Sequence, residues 1–326
     1  MLNQKTKSKA FTIVELLTVI SVITLIIGLL VPALNKVNRM AKNMKQKAQF
    51  HSITTSLEMF RSENEEYPAS AQGGTSGSFI CGAQKLAEAL VGRDLQGLDP
   101  LSDRDNPDIT TNNPYGLTGP QTVDATKLTT SLERRKGPYL NTDNLPVFDI
   151  AQIYALGANP TGNVYPGALK NDGTASTGNP APVITDIYKS ITISVPVGST
   201  GGKKSVQAGT PVLYYKANIA QKFNDTSSNT TITTSSIYNI YDNDEIVQLC
   251  TIKDPSILHK IDTRTTTTPS GIDTFYGKIT NNIASANLTA SSPNLTRPYR
   301  PDSYILISAG FDGIYGTDDD ITNYEE

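Results

Sequence analysis

From Leu16 to Leu34 the chain runs nineteen residues without a charge, and Glu15 stands directly before them. A helix rises about 1.5 Å per residue, so such a run spans roughly 28 Å, close to the ~30 Å hydrocarbon core of a bilayer. A short basic leader with Lys5, Lys7 and Lys9 precedes it. A charge inside hydrocarbon is costly unless paired, so a carboxylate at the edge of this run needs a reason, either a partner or a place at headgroup level without one. A secretory signal peptide does not explain the segment, because its apolar region is only about 7–15 residues long and ends in an A-x-A-like site. Val31-Pro32-Ala33-Leu34-Asn35 offers none. A plain uncleaved anchor leaves Glu15 without a purpose.

At Ala10-Phe11-Thr12-Ile13-Val14-Glu15, with the apolar run and Pro32 behind them, the chain resembles the type IV pilin superfamily, which includes the pseudopilins of type II secretion. The resemblance implies that a prepilin peptidase cuts between Ala10 and Phe11 and that the new N-terminus is methylated. Glycine is usual where Ala10 stands. The resemblance also implies a partner for Glu15, the α-amine freed on Phe11 of a neighbouring subunit. Opposite charges attract far more strongly in low dielectric than in water, and removing one strands the other. Glu15 then acts as a register key for stacking helices into a filament. Counted alone, five basic residues after the span (Lys36, Arg39, Lys42, Lys45, Lys47) against three before it place the C-terminal side in the cytoplasm. The leader-and-glutamate pattern places it outside, because the peptidase that reads the leader is cytoplasmic. We follow the latter reading.

Apolar residues continue at helical spacing through Leu34, Val37, Ala41, Met44 and Ala48, then resume after a one-residue slip at Ile53, Leu57 and Phe60. Such a stripe is a seam for packing against a head. Glu63, Glu65 and Glu66 oppose the helix dipole at its end, and Tyr67-Pro68 closes it. One helix over about 12–65 is expected, with a bend between Gly28 and Pro32. The chain divides into a leader (1–10), a transmembrane segment (11–34), an amphipathic extension (35–66) and a head (67–326). The head reads as β-rich with one short helix, Gly82 to Gly92. Strands are expected around Ile191–Val195, Leu145–Leu156, Val212–Ala217, Ile237–Tyr241 and Tyr304–Ile307, with turn-rich tracts at 162–182, 225–236, 263–271 and 281–297. The fold class is α+β, a long helix packed on a pilin-like head.

Tyr67-Pro68, Gly137-Pro138-Tyr139-Leu140 and the final run from Tyr304 through Ile321 resemble the major pseudopilin in particular, whose terminal loop holds calcium. Asp312, Asp318, Asp319 and Asp320, hinged by Gly313 and Gly316, suit a hard cation that takes six to eight oxygens. Asp312, Asp318 and Asp320 are the expected ligands, with Asp319 pointing outward. An exposed acidic turn without metal is the other reading.

Without the leader, 25 basic residues face 31 acidic ones, a net charge of −6, which excludes a broad nucleic-acid surface. The basic stretch from Lys36 to Lys47 is assigned to lipid headgroups. Gly198 to Ser205 brushes against a phosphate loop, but Val197 occupies the place of its first glycine, and a hairpin turn explains it. Cys81 and Cys250 either form a disulfide or stand as separate thiols. No catalytic constellation emerges, and an enzyme is not expected. The resemblance implies a structural pseudopilin anchored once in the inner membrane, N-terminus cytoplasmic and head periplasmic. Its expected partners are copies of itself, other pseudopilins, the peptidase and an inner-membrane assembly platform. The alternative is a minor type IV pilin or surface adhesin displaying an enlarged head.

Overall fold

The computed structural model describes residues 12–75, 78–102, 125–141, 145–154, 181–195, 202–253, 258–264, 268–282 and 294–324. The chain separates into two compact units, one ending at Met44 and one beginning at Lys45. Helix α1 runs Ile13–Asn64 with Pro32 inside it. It stops where Glu65 turns into the left-handed region at φ 67°, just ahead of Pro68.

Among the described residues, seventeen further strands and α-helices build the second unit. They are β1 (Gly73–Thr75), β2 (Ser78–Ile80), α2 (Gly82–Val91), α3 (Ala125–Arg134), β3 (Val147–Asp149), α4 (Ile150–Tyr154), β4 (Pro182–Ile184), β5 (Ser190–Val195) and β6 (Gly202–Gln207). Then follow β7 (Leu213–Lys216), β8 (Asn224–Asp225), α5 (Asn229–Ser235), α6 (Asp244–Lys253), α7 (Gly271–Ile279), β9 (Leu295–Thr296), β10 (Tyr304–Ser308) and β11 (Ile321–Thr322). The architecture is α+β, with small antiparallel sheets and short helices beside one long apolar helix.

A three-stranded antiparallel sheet, β11-β10-β7, forms the middle layer. Ile305 lies opposite Tyr215 and Leu306 opposite Tyr214, and every residue of β10 is buried. Successive side chains of a strand point to opposite faces, so the two strands feed two cores. Leu213, Tyr215, Ile305 and Ile307 join Phe275, Ile246 and Val247 from α7 and α6. Tyr214, Tyr304 and Leu306 join Phe50, Ile53, Leu57 and Phe60 of α1 and Leu86 and Leu90 of α2. Helices therefore cover both faces.

The three passages that resemble the major pseudopilin converge on the second core. Tyr67 meets Tyr304 edge to face at 4.9 Å, and the Tyr214 hydroxyl donates to the Pro68 carbonyl at 2.7 Å. Tyr139 packs edge-on against Phe60, its N–H donates to the Leu90 carbonyl at 2.8 Å, and its own carbonyl accepts from Ser56 Oγ at 2.8 Å. These contacts clamp α1, α2 and the sheet together.

Several expectations change. The buried seam of α1 is Gln46, Gln49, Phe50, Ile53, Ser56, Leu57 and Phe60, whereas Ala48 is exposed. The slip after Ala48 marks the switch to a different face. Ile237–Tyr241 is not a strand: its apolar residues do not alternate, and Asn239 caps a 3-10 turn at Ile240–Asp242 by accepting the Tyr241 N–H. The stretch from Leu145 yields only β3 before Gln152 receives the Asp149 N–H and α4 begins. The tract 225–236 holds α5, because Ser228 accepts the Thr231 N–H and starts a helix of threonines. Tracts 162–182 and 281–297 lie largely outside the described residues. Cys81 is a buried free thiol at the N-terminus of α2.

Leu57 is fully buried in the core between α1 and the sheet. Leu57→Ala removes its packing and leaves a cavity, at a cost of about 2–5 kcal/mol. Denaturant unfolding of the full chain in detergent should show that loss, while Met59→Ala, at a position exposed on the same helix, should stay near the wild type.

Candidate functional site

Ala10 and Phe11 lie outside the described residues; the described helix start begins at Thr12. Glu15 Oε2 accepts the Thr12 N–H at 2.9 Å and the Thr12 hydroxyl at 2.8 Å, and Thr12 Oγ1 accepts the Glu15 N–H at 3.2 Å. This is a capping box, in which two groups satisfy each other's free helix-end N–H donors. The Thr-x-x-Glu spacing was visible in the sequence and points to it directly. An anion in the first turn also sits at the positive end of the helix dipole. Hydroxyls farther along are satisfied within the helix, Thr18 by the Glu15 carbonyl at 3.0 Å and Thr24 by that of Ile20 at 2.6 Å. The helix is long and apolar enough to cross a membrane, and none of its most apolar window is buried in protein.

The terminal loop joins β10 to β11 and turns at Gly313 (φ 74°) and Gly316 (φ 90°), where only glycine is unstrained. Tyr315 fastens it. Its N–H donates to His259 Nδ1 at 3.1 Å, its carbonyl accepts the Lys260 N–H at 2.8 Å, and its hydroxyl donates to the Pro211 carbonyl. His259 is buried beneath the Tyr315 ring, and desolvation holds its imidazole down at about 4. An accepting Nδ1 requires the neutral ring with its hydrogen on Nε2. His259 thus serves as a hydrogen-bond acceptor just ahead of a turn.

The carboxylates of this loop serve its own backbone. Asp312 Oδ1 accepts the Ile314 N–H at 2.7 Å. Asp319 Oδ2 accepts from the Phe311 and Asp312 N–H groups at 2.9 and 3.0 Å, and Oδ1 accepts the Thr317 hydroxyl at 2.7 Å. Asp319 therefore points inward, while Asp312 and Asp318 are exposed. Asp320 Oδ2 accepts the Gly316 N–H at 2.8 Å, while its buried Oδ1 makes no hydrogen bond. Burial pushes the Asp320 carboxyl up to about 7. Burial also lifts Asp312, with Asp319 adding repulsion; Asp319, itself desolvated, is held low by the Thr317 hydroxyl and the N–H donors. A calcium ion takes six to eight oxygens at about 2.3–2.6 Å. Among the described residues, no three His, Cys, Asp or Glu side chains are gathered to hold a metal. Within the loop, Asp320 Oδ1 is a buried side-chain oxygen that no hydrogen bond uses.

Two open cavities of about 440 and 420 Å³ lie elsewhere in the second unit. The first is lined by Gln49, Ser52, Thr55, Tyr139, Leu140 and Ile187, and the second by Ser70, Lys216, Asn239, Asp242 and Ser303 among others. Asp242 is buried, receives the Ser70 hydroxyl, and has its carboxyl pushed up to about 7 by desolvation, against the pull of Ser70 and the Lys85 charge. Among the described residues, no histidine lines the second cavity.

Over 123 residues, 36% of its length, the chain is 26% identical to the type II secretion system core protein G of Aeromonas hydrophila, and the match covers 77% of that protein. The likeness supports a relation to the secretion pseudopilins. No family model matches the chain, and no solved structure matches it significantly.

Asp242 gives the head a pH signature. An unfolded aspartate titrates near 3.9, so a folded value of about 7 means stability that is full at acid pH and is lost as pH rises through 7. Between about pH 4 and pH 8 this group alone withdraws roughly 4 kcal/mol. Asp242→Asn, neutral at every pH, should melt near the wild type at about pH 4 and above it at about pH 8. Parallel melting curves across that range would show that Asp242 titrates normally.

Proposed function

We propose that this chain is a structural pseudopilin subunit, processed before Phe11, anchored by α1 in the inner membrane, and polymerised into a periplasmic filament for type II protein secretion. The observation that carries the proposal is an apolar, unburied helix whose one charge at the N-terminal edge of the span, Glu15, is held at the first turn by Thr12. The likeness to a secretion-system core protein supports the same reading.

In the free subunit the capping box satisfies Glu15 within its own helix. In the filament, the methylated amine of Phe11 on a neighbour supplies the opposite charge, and Thr12 holds the carboxylate where that amine meets it. The head faces the periplasm, and the basic residues after the span lie at the headgroups. The role is mechanical, not catalytic. The partners are further copies, other pseudopilins, the peptidase and an inner-membrane platform. A head of about 260 residues favours a second reading, a minor pilin or adhesin that uses the same helix to display a binding surface.

Co-expressed with a prepilin peptidase, the mature chain should begin at N-methylated Phe11. An intact mass that retains Met1 would end the pilin reading.

Glu15 allows a sharper test, because capping and ion pairing separate on substitution. Glu15→Gln keeps the capping geometry, since glutamine serves at that position, but removes the charge. Both Glu15→Gln and Glu15→Ala should insert in the membrane and fail to enter sheared filaments. Normal filament yield from Glu15→Gln alongside failure of Glu15→Ala would reduce Glu15 to a helix cap.

A further inference from the structure

The loop that looks built for a metal ion has a cation from elsewhere in the chain. Lys278 stands in the last turn of α7, its side chain 30% exposed, and its Nζ donates to the Thr317 carbonyl. The same nitrogen lies 3.9 Å from Asp320 Oδ2 and 4.0 Å from Asp318 Oδ1. A lysine ammonium has three donors and no acceptor. Here one is spent on the loop backbone, and the others face the two carboxylates that the sequence assigns to a metal. Lys189 approaches from another side: a Cβ on Gly313 would lie 2.4 Å from its Nζ.

We propose that Lys278 is the resident cation of the terminal loop, so that the loop closes without a bound metal. The groups facing this ammonium are the Thr317 carbonyl, Asp318 and Asp320. A calcium ion drawing on Asp318, Asp320 and the Thr317 carbonyl would stand about 2.3–2.6 Å from each oxygen. It would set a double positive charge against an ammonium that already donates to the Thr317 carbonyl, so the two compete for the same oxygens. The other two carboxylates already serve the loop backbone, Asp319 accepting two backbone N–H groups and Asp312 one. Position in the last turn of α7 alone explains a lysine that favours the helix dipole. It does not explain an amine that reaches a carbonyl thirty-nine residues away. This inference does not rest on the filament reading, and its test requires no assembly.

The chain has 15 tyrosines and no tryptophan, so near-ultraviolet circular dichroism of the full chain in detergent reports its packing. The wild type should melt at one temperature in calcium, in magnesium and in chelator. Lys278→Met should melt about 2–4 °C lower in chelator and recover in calcium but not in magnesium, because the vacated carboxylates then admit a flexible oxygen-bound ion. Lys278→Arg, which keeps a charge, should remain indifferent to calcium. If Lys278→Met does not fold, hydrogen exchange of the Gly316 and Asp320 amides in the wild type decides the matter, with equal protection in calcium and chelator expected. Calcium-dependent melting or protection of the wild type would overturn the proposal, as would Lys278→Met melting with the wild type in chelator.

Discussion

The pairing of β7 with β10 is the constraint on which the head depends. Both strands are buried, and they read as nearly continuous apolar runs, Leu213-Tyr214-Tyr215 and Tyr304-Ile305-Leu306-Ile307. That pattern belongs to strands covered on two faces rather than one. A one-residue slip in this register would exchange every side chain between the two cores. The pairing also fixes where the chain goes next, because β10 delivers the terminal loop and β11 returns beside it. The anchoring of α1 and the geometry of the loop both follow from this ladder.

Much of this was readable because the signals are local. The glycine-bounded apolar face of α2, the alternation of Ile191 and Ile193, and the runs that became β7 and β10 each declare their period within a few residues. The misses also have local explanations. Ser270-x-x-Asp273 forms a capping box at the start of α7, and Ser228 caps α5; both are start signals hidden in Thr- and Ser-rich stretches that look like turns. In such tracts one side chain placed to accept an N–H decides between coil and helix. The seam of α1 was misplaced upstream because apolar spacing alone does not say which face meets the head. Gln46 and Gln49, buried in the true seam, carry no hydrophobic signal at all. Tyr315 could have been found as an aromatic residue set between glycines in an acidic loop.

At the helix start, the sequence showed an expensive charge, and the structure shows how a free subunit tolerates it. Thr12 supplies a hydroxyl and an N–H to one carboxylate oxygen, so Glu15 has hydrogen-bond donors before any neighbour arrives. The capping box and the proposed ion pair are successive rather than competing accounts. A charge-assisted hydrogen bond orients the carboxylate, and in the proposed filament a second copy would find it already placed. Orienting the carboxylate beforehand removes part of the entropy that assembly would otherwise cost.

The terminal loop shows why counting acids along a chain is an incomplete argument for a metal. Four aspartates within nine residues repel each other when only sequence neighbours are considered. The fold answers that repulsion from distant positions. Asp319 takes N–H donors from the start of the loop, His259 holds Tyr315 from a separate turn, and Lys278 brings a positive charge from α7. Beneath the loop, Asp186 accepts the Thr210 hydroxyl at 2.5 Å and lies 3.4 Å from Ser308 Oγ, tying the end of β10 to the strand entering β7. Burial lifts the Asp186 carboxyl to about 6 even so. The countercharge of an acidic loop is thus a property of topology: it depends on which helix the ladder brings alongside, and α7 arrives only because Phe275 and Ile279 fill the core behind β7 and β10.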